Sequence, residues 1–313
     1  MKHLGKSSVL FVAIGLLLYA GVYYAAERLM YRMGDSNPFF KIATAGDHSQ
    51  DWVILGASHA MPLDFDEFNA VMERETGQRI LNLAAPGAGP LYNRFVLEYF
   101  LSRHRTDNLL YVLDSFAFYS PVWNEERFGD AKLLRRTPFE PVLARRFLDY
   151  CMNEGVDGFA LLDYVTGFSK LNNRERFRRD VWEGEIKFDR IFRPSATADR
   201  QRIAYLYPAA APDPEAFSRY LRVFTALIDT TRREGVRLVV IKMPVPARFH
   251  SQIPNEAAFD NAISGLLASQ QVPFHDFSLA VNEPRFYFDT DHLNRAGVTE
   301  FLSRHLKATF AQD

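Results

Sequence analysis

The chain is nearly without sulfur chemistry. One cysteine, Cys151, stands among 313 residues. An intrachain disulfide is therefore excluded, and so is a cysteine-based metal site. A lone thiol is ordinarily a small buried hydrophobe, and no local feature marks Cys151 for activation. An excess of either charge is missing as well. Lys and Arg number 37 against 38 Asp and Glu, a formal net charge of -1, so the whole-chain balance carries no footprint for nucleic acid. There is no internal repeat and no low-complexity tract. At 48% hydrophobic and 24% charged, the composition is that of a globular chain rather than a disordered one. The length suits one large α/β domain or two smaller ones. Aromatics are plentiful, with 27 Phe and 14 Tyr. They fit a thick core, a membrane-near surface or a carbohydrate-contacting groove, and composition does not choose among these.

A long hydrophobic run is present, at the N-terminus. Ser8 to Ala26 carries no charge over 19 residues, about 28 Å of helix at ~1.5 Å per residue, close to the hydrocarbon thickness of a bilayer. Lys2 and Lys6 precede it, which favours a cytoplasmic N-terminus. Tyr19, Tyr23 and Tyr24 lie toward its far end, and Arg28 and Arg32 follow. A cleaved signal peptide is the competing reading, but cleavage after Ala26 would put bulky Tyr24 where a small residue is wanted. The expectation is a single-pass anchor in the inner membrane of a bacterium, with the rest of the chain periplasmic or at the cell surface. Residues 1–26 then form the cytoplasmic tip and transmembrane anchor. Residues 27–50, with the turn chemistry of Gly34-Asp-Ser-Asn-Pro38, form a stalk.

From Asp51 onward, apolar strand-like runs alternate with helical spacing. Strands are expected at Trp52–Leu55, Arg79–Leu83, Asn108–Leu113, Val236–Ile241 and Val272–Phe277. Helices are expected over 61–76, 91–102, 214–234, 256–269 and 295–310, the last with Asn294 as N-cap. Residues 116–210 lack this alternation and read as an insertion or cap within a domain spanning 51–313. Five strands alternating with helices imply a three-layer α/β/α sandwich on a mainly parallel sheet. Its site should lie beyond the carboxyl ends of the strands.

The chemistry-bearing residues fall at those ends. Ser58 follows the first strand, in Gly56-Ala-Ser58-His59. Gly87 follows the second, Asp114 and Ser115 the third, and Asp289-Thr-Asp-His292 the fifth. A serine hydroxyl needs a base to become a nucleophile, and an imidazole oriented by a carboxylate is the usual one. Ser58 near a helix start would have backbone N–H groups for a developing anion. Taken alone, Ser58 also reads as a turn or cap residue, and Asp289–His292 as a structural pair. Asp289, three residues from His292, suits the orienting role better than Asp291, which reads as a cap or substrate contact. The His59 ring should point away from the Ser58 hydroxyl, into packing or a supporting hydrogen bond. The spacing of His59, Asp114, Asp289 and His292 matches no metal-binding pattern, so neither metal nor cofactor is expected.

These residues resemble the SGNH (GDSL-like) hydrolase and acyltransferase superfamily. Gly56-Ala57-Ser58 is similar to its first conserved block, in the Gly-x-Ser-His form of membrane-anchored members. Asn82 to Gly87 is similar to the second block and Asp289 to His292 to the fifth. The resemblance covers about 51–115 and 213–310. It implies a flavodoxin-like fold, a Ser58–His292–Asp289 triad, and an oxyanion hole from the amides of Ser58 and Gly87, with Ser115 as a further donor. One departure stands out. The third block normally supplies an asparagine as oxyanion donor, and this chain has Leu113-Asp114-Ser115 instead. The resemblance further implies O-acyl transfer, of acetyl above all, to or from a cell-envelope or exopolysaccharide glycan. An acyl donor, a glycan acceptor and a membrane-bound O-acyltransferase would be the partners. Carbohydrate esterase activity and a catalytically degenerate glycan-binding or scaffold subunit are the alternatives.

Overall fold

The computed structural model describes residues 2–34, 36–46, 49–174, 181–208 and 213–311. They form two compact units. One comprises Met1–Ala43 with Phe128–Val181, the other Thr44–Arg127 with Trp182–Asp313.

The second unit holds a five-stranded parallel sheet. Its strands are β1 (Gln50–Leu55), β2 (Ile80–Asn82), β3 (Thr106–Val112), β4 (Arg237–Lys242) and β5 (Phe274–Asp276), in the order β2-β1-β3-β4-β5. In register, Ile54 lies between Asn82 of β2 and Leu110 of β3. Val53, Ile54 and Leu55 are all fully buried. An uninterrupted apolar run is what a strand covered on both faces requires. On one face, Trp52, Ile54, Leu110 and Val112 pack with Phe68 and Met72 of α3 (Phe68–Thr76) and with Val298, Phe301 and Phe310 near the C-terminus. On the other, Tyr111 meets Phe224, with ring centroids 4.9 Å apart. Phe224 belongs to the helix Pro214–Arg233, which packs beside α4 (Pro90–Leu101).

That helix shows how the local sequence sets an element. Asp213 caps it, accepting from the Glu215 N–H at 2.9 Å, and Pro214 opens the first turn, where its missing N–H costs nothing. Tyr220, Val223, Phe224, Leu227, Ile228 and Thr231 form its buried stripe, at the 3–4 residue spacing of one helical face. Full burial of a side chain such as Phe224 contributes about 1.5–3 kcal/mol.

The five expected strands are all present. The expected helix over 61–76 differs. Two 3-10 segments, Ser58–Leu63 and Phe65–Glu67, precede α3. Pro62 has no N–H to donate, and Asp66 and Glu67 adopt left-handed φ values of 45° and 63°, so no α-helix can run through. Ser58 therefore opens a short 3-10 turn rather than an α-helix with a macrodipole, and any anion there would meet individual amides.

The first unit is built around α1 (Lys2–Met33) and the helices Pro141–Asn153, Gly158–Thr166 and Phe168–Leu171. Within α1, Lys6–Met33 is long and apolar enough to cross a membrane, a property that fits an anchor and a signal sequence alike. Residues 27–50, read as a stalk from sequence, contain the last turns of α1 and a second helix, α2 (Pro38–Thr44), with Phe39, Phe40 and Ile42 buried. Of the expected insertion over 116–210, only Phe128–Val181 groups with α1. The helix Ala196–Leu206 groups with the sheet and delivers a residue to the candidate site.

Candidate active site

The strand order reverses at β1, with β2 on one side of it and β3 on the other. In open parallel sheets this switch point is where a crevice opens at the carboxyl ends, and the chain leaving β1 there reaches Ser58. Gly56 sits at φ 153°, and a Cβ on it would lie 2.8 Å from that of Val112, so only glycine lets the turn pass so close to β3. Asn82, at the end of β2, braces the turn. Its side chain donates to the Ala60 carbonyl and accepts from the Ala84 N–H, both at 2.9 Å.

The structure brings Ser58, His292 and Asp289 together. Ser58 Oγ is 2.9 Å from His292 Nε2. His292 Nδ1 is 2.9 and 3.0 Å from the two oxygens of Asp289. The Asp289 carboxylate also accepts the main-chain N–H groups of Asp291 and His292, at 3.1 and 2.8 Å, which fixes it against the loop. These partners settle the tautomer. Nδ1 faces only acceptors and must carry the hydrogen. Nε2 faces the Ser58 hydroxyl and, at 3.5 Å, the guanidinium of Arg202, so it presents its lone pair. Phe288 stacks on the His292 ring at 5.6 Å and Trp182 meets it edge-on at 5.4 Å, confining its rotation. Ser58 is 5% exposed and His292 2%, whereas Asp289 is a third exposed.

Beside this relay lies a second, fully ionic arrangement. His59 Nδ1 is 2.5 Å from Asp114 Oδ1, and His59 Nε2 is 3.2 Å from Asp291 Oδ2. Burial by itself would push the His59 pKa down, but the two carboxylates outweigh it and hold the pKa up at about 10. His59 is thus an imidazolium at neutral pH, with its ring 4.8 Å from that of His292. Asp291 is wholly buried. Burial opposes its charge, yet Arg202 and the His59 imidazolium hold its carboxyl well below the usual range. Arg202 Nε donates to both of its oxygens, at 2.9 and 3.1 Å, and the Thr290 hydroxyl donates at 2.6 Å. Asp291 lies 3.5 Å from His292 Nδ1, farther than Asp289. It is neither a cap nor open to substrate, but the centre of this arrangement.

Among the described residues, His59, Asp291 and His292 form a group whose ligand-type atoms lie within 4.8 Å of one another. Within it, His59 Nε2 is hydrogen-bonded to Asp291, and His292 Nδ1 lies 3.5 Å from the same carboxylate. Both His59 nitrogens face carboxylates, and the two His292 nitrogens face Asp289 and Ser58.

The remaining expected residues divide. Gly87 takes φ 62°, and a Cβ there would lie 2.6 Å from the Trp123 ring, so glycine is required. Among the described residues, the amides of Ser58 and Gly87 donate to no other main-chain carbonyl. The Ser115 hydroxyl is committed elsewhere. It donates to Glu256 and shares a 2.6 Å contact with the Tyr207 hydroxyl. Glu256 in turn pairs with Lys242, which also reaches Asp260 at 2.7 Å. Ser115 thus belongs to a buried polar network rather than to Ser58, because Glu256 competes for its single proton. Arg202, Trp182 and Phe288 escaped sequence reasoning. Arg202 lies in a stretch without strand–helix alternation, about 90 residues from its partner Asp291, and nothing local marks it.

No protein-family model and no curated protein matches the chain. Among solved structures, it is similar to a Bacteroides fragilis NCTC 9343 protein described as a "putative acylhydrolase", at TM-score 0.44 and 8% identity over 88% of this chain and 95% of that one. It is also similar to a GDSL-like lipase from Bacteroides thetaiotaomicron VPI-5482, at TM-score 0.42 and 6% identity over 86% and 94%.

Proposed function

We propose that the protein is a membrane-anchored serine enzyme of acyl-ester chemistry. The observation that carries this reading is the hydrogen-bonded relay Ser58–His292–Asp289 with its tautomer fixed. Ser58 Oγ attacks the acyl carbon while its proton passes to His292 Nε2. Asp289 holds the Nδ1–H and the ring orientation as the imidazolium forms. We assign the amides of Ser58 and Gly87 the role of oxyanion donors. The leaving alcohol takes the proton from Nε2. A second hydroxyl, from a sugar or from water, then yields its proton to His292 and releases the acyl group from Ser58.

Charge around the base supports this. His59 and Arg202 supply two positive charges against the carboxylates of Asp114, Asp289 and Asp291. The net surplus is one negative charge, which the transient His292 imidazolium neutralises. The Arg202 guanidinium also brings N–H groups to within 3.5 Å of the base. We assign it the role of the oxyanion donor that the third block of the resembling family takes from asparagine.

The substrate class we infer is an O-acylated, above all O-acetylated, envelope or exopolysaccharide glycan, with a membrane-bound O-acyltransferase as partner. The Gly-x-Ser-His sequence and the apolar helix support this. We further propose that the helix is a retained inner-membrane anchor and the remainder periplasmic. Tyr19, Tyr23 and Glu27 are structural parts of the first unit. The Tyr19 hydroxyl donates to the Thr166 carbonyl at 2.7 Å, Tyr23 packs on Gly167, and Glu27 pairs with buried Lys170. A signal peptide destined for removal has no use for such contacts. The test is acetate release from an activated acetyl ester by the full-length chain in detergent. Ser58→Ala should lower it by at least about a thousand-fold, and an unchanged rate would exclude Ser58 as nucleophile. With a polysaccharide added, acetylated glycan supports transfer and acetate alone supports hydrolysis.

A further inference from the structure

The helix Gly158–Thr166 wears its hydrophobic side outward. Phe159 is 77% exposed, Leu162 56% and Val165 45%, and Phe168 just beyond it is 62% exposed. These side chains recur every third residue, on one side of the helix. Its inner side is occupied by Ala160 and Tyr164, the latter donating its hydroxyl to the Pro138 carbonyl at 2.8 Å. The one charged residue within the helix, Asp163, is turned away from the apolar side. Its carboxylate accepts the Ser169 N–H at 2.8 Å and the Ser169 hydroxyl at 2.5 Å. A surface helix in water normally shows the opposite arrangement, and an apolar patch of this kind marks a binding face.

Where the patch sits identifies what covers it. Tyr19 belongs to the uncharged run ending at Ala26, and its hydroxyl holds Thr166, the last residue of the outward-facing helix. Tyr23 packs on Gly167, between Thr166 and Phe168. Tyr19 lies seven residues before Ala26, about 10 Å along the helix axis at ~1.5 Å per residue. The patch is therefore fixed to α1 below the level where the apolar run ends. Helices that lie in a bilayer surface sit about 5–10 Å into the headgroup–acyl boundary. The side chains of α1 itself, among them Leu16, Leu17 and Leu18, are also exposed.

We propose that the helix Gly158–Thr166, with Phe168, is an interfacial membrane element. It lies in the outer leaflet beside α1, with Phe159, Leu162, Val165 and Phe168 in the acyl chains. This rests on reading α1 as a retained anchor and adds a second point of lipid contact. Two points of contact fix the azimuth and tilt of this unit against the bilayer, which a single helix would leave free.

Depth-dependent quenching tests this on the full-length chain. In a Cys151→Ser background, Leu162→Cys and Leu16→Cys are labelled separately with an environment-sensitive fluorophore. The proteins are reconstituted into vesicles of phosphatidylethanolamine and phosphatidylglycerol. The expected result at 162 is loss of emission to lipids carrying a doxyl group near the top of the acyl chain, with no loss to aqueous iodide. Iodide quenching at 162 with doxyl quenching at 16 would overturn the interfacial element and leave the anchor standing. Iodide quenching at both positions would overturn the anchor and this inference together. Protection of 162 from both quenchers would mean that protein covers the patch, and would also overturn the inference.

Discussion

Replacing His59 by glutamine should unsettle the sheet unit more than it alters the chemistry of Ser58. His59 is buried between Asp114 and Asp291. A rise of its pKa from 6.5 to about 10 corresponds to roughly 5 kcal/mol of preferential stabilisation of the charged ring. A second route gives a similar size, since removing one partner of a buried ion pair costs about 3–5 kcal/mol. Asp291 keeps Arg202 and Thr290 after the change. Among the described residues Asp114 then has no side-chain hydrogen bond, because its Oδ2 already lacks a partner. The loss therefore falls on Asp114, and the second substitution Asp114→Asn should recover most of it. The pH dependence has a definite sign. A folded pKa raised above the unfolded value contributes fully below about 6.5 and is lost as pH climbs through about 10. All three tryptophans, Trp52, Trp123 and Trp182, lie in the sheet unit, so intrinsic fluorescence in detergent reports its unfolding. His59→Gln should lower the midpoint by about 6–20 °C, taking roughly 2–4 °C per kcal/mol, and should flatten the decline of stability between pH 7 and 11. A shift of a degree or less, or a double variant as unstable as His59→Gln alone, would refute the ionic reading of His59.

Other substitutions separate chemistry from support. Asp289→Asn should keep the fold but lower kcat by about four orders of magnitude, because an amide can present its NH2 to Nδ1 and favour the wrong tautomer; steady-state rates check this. Arg202→Gln should lower kcat by about a hundred-fold or more if the guanidinium serves the oxyanion, and a change confined to stability would give Arg202 a purely structural part through Asp291. Gly87→Ala should cost about 1–3 kcal/mol from the left-handed backbone alone, with Trp123 forced to shift, as read by thermal unfolding. Lys170→Met should destabilise the first unit by about 3–5 kcal/mol by stranding Glu27, and Lys170→Met with Glu27→Gln should restore most of it, as read by protease resistance.

Much of this architecture is legible in the sequence for a simple reason. In a parallel sheet the strands are covered on both faces, so Trp52–Leu55 and Val236–Ile241 stand out as unbroken apolar runs. Site residues must then follow strand ends, which placed Ser58, Gly87, Asp289 and His292 at one edge. What escaped reading has two origins, local backbone detail and contacts distant in sequence. The 3-10 turn after Ser58 arises from Pro62 and two left-handed residues, against a helical pattern in Phe65, Phe68, Val71 and Met72. Arg202 reaches Asp291 from a stretch with no periodic signal. The role of Asp114 after β3 emerges only from the facing imidazole of His59. Ser115, a further oxyanion donor by resemblance, is taken up by Glu256, 141 positions away.

The proposed chemistry requires Ser58 to be an activated nucleophile. Exposure of the full-length chain to an alkyl fluorophosphonate, followed by peptide mass analysis, tests it directly, since only a serine paired with a working base reacts at an appreciable rate. One adduct is expected, on the peptide carrying Ser58, lost in Ser58→Ala and strongly slowed in His292→Ala. An unmodified Ser58 peptide, or an adduct that persists unchanged without His292, would contradict it.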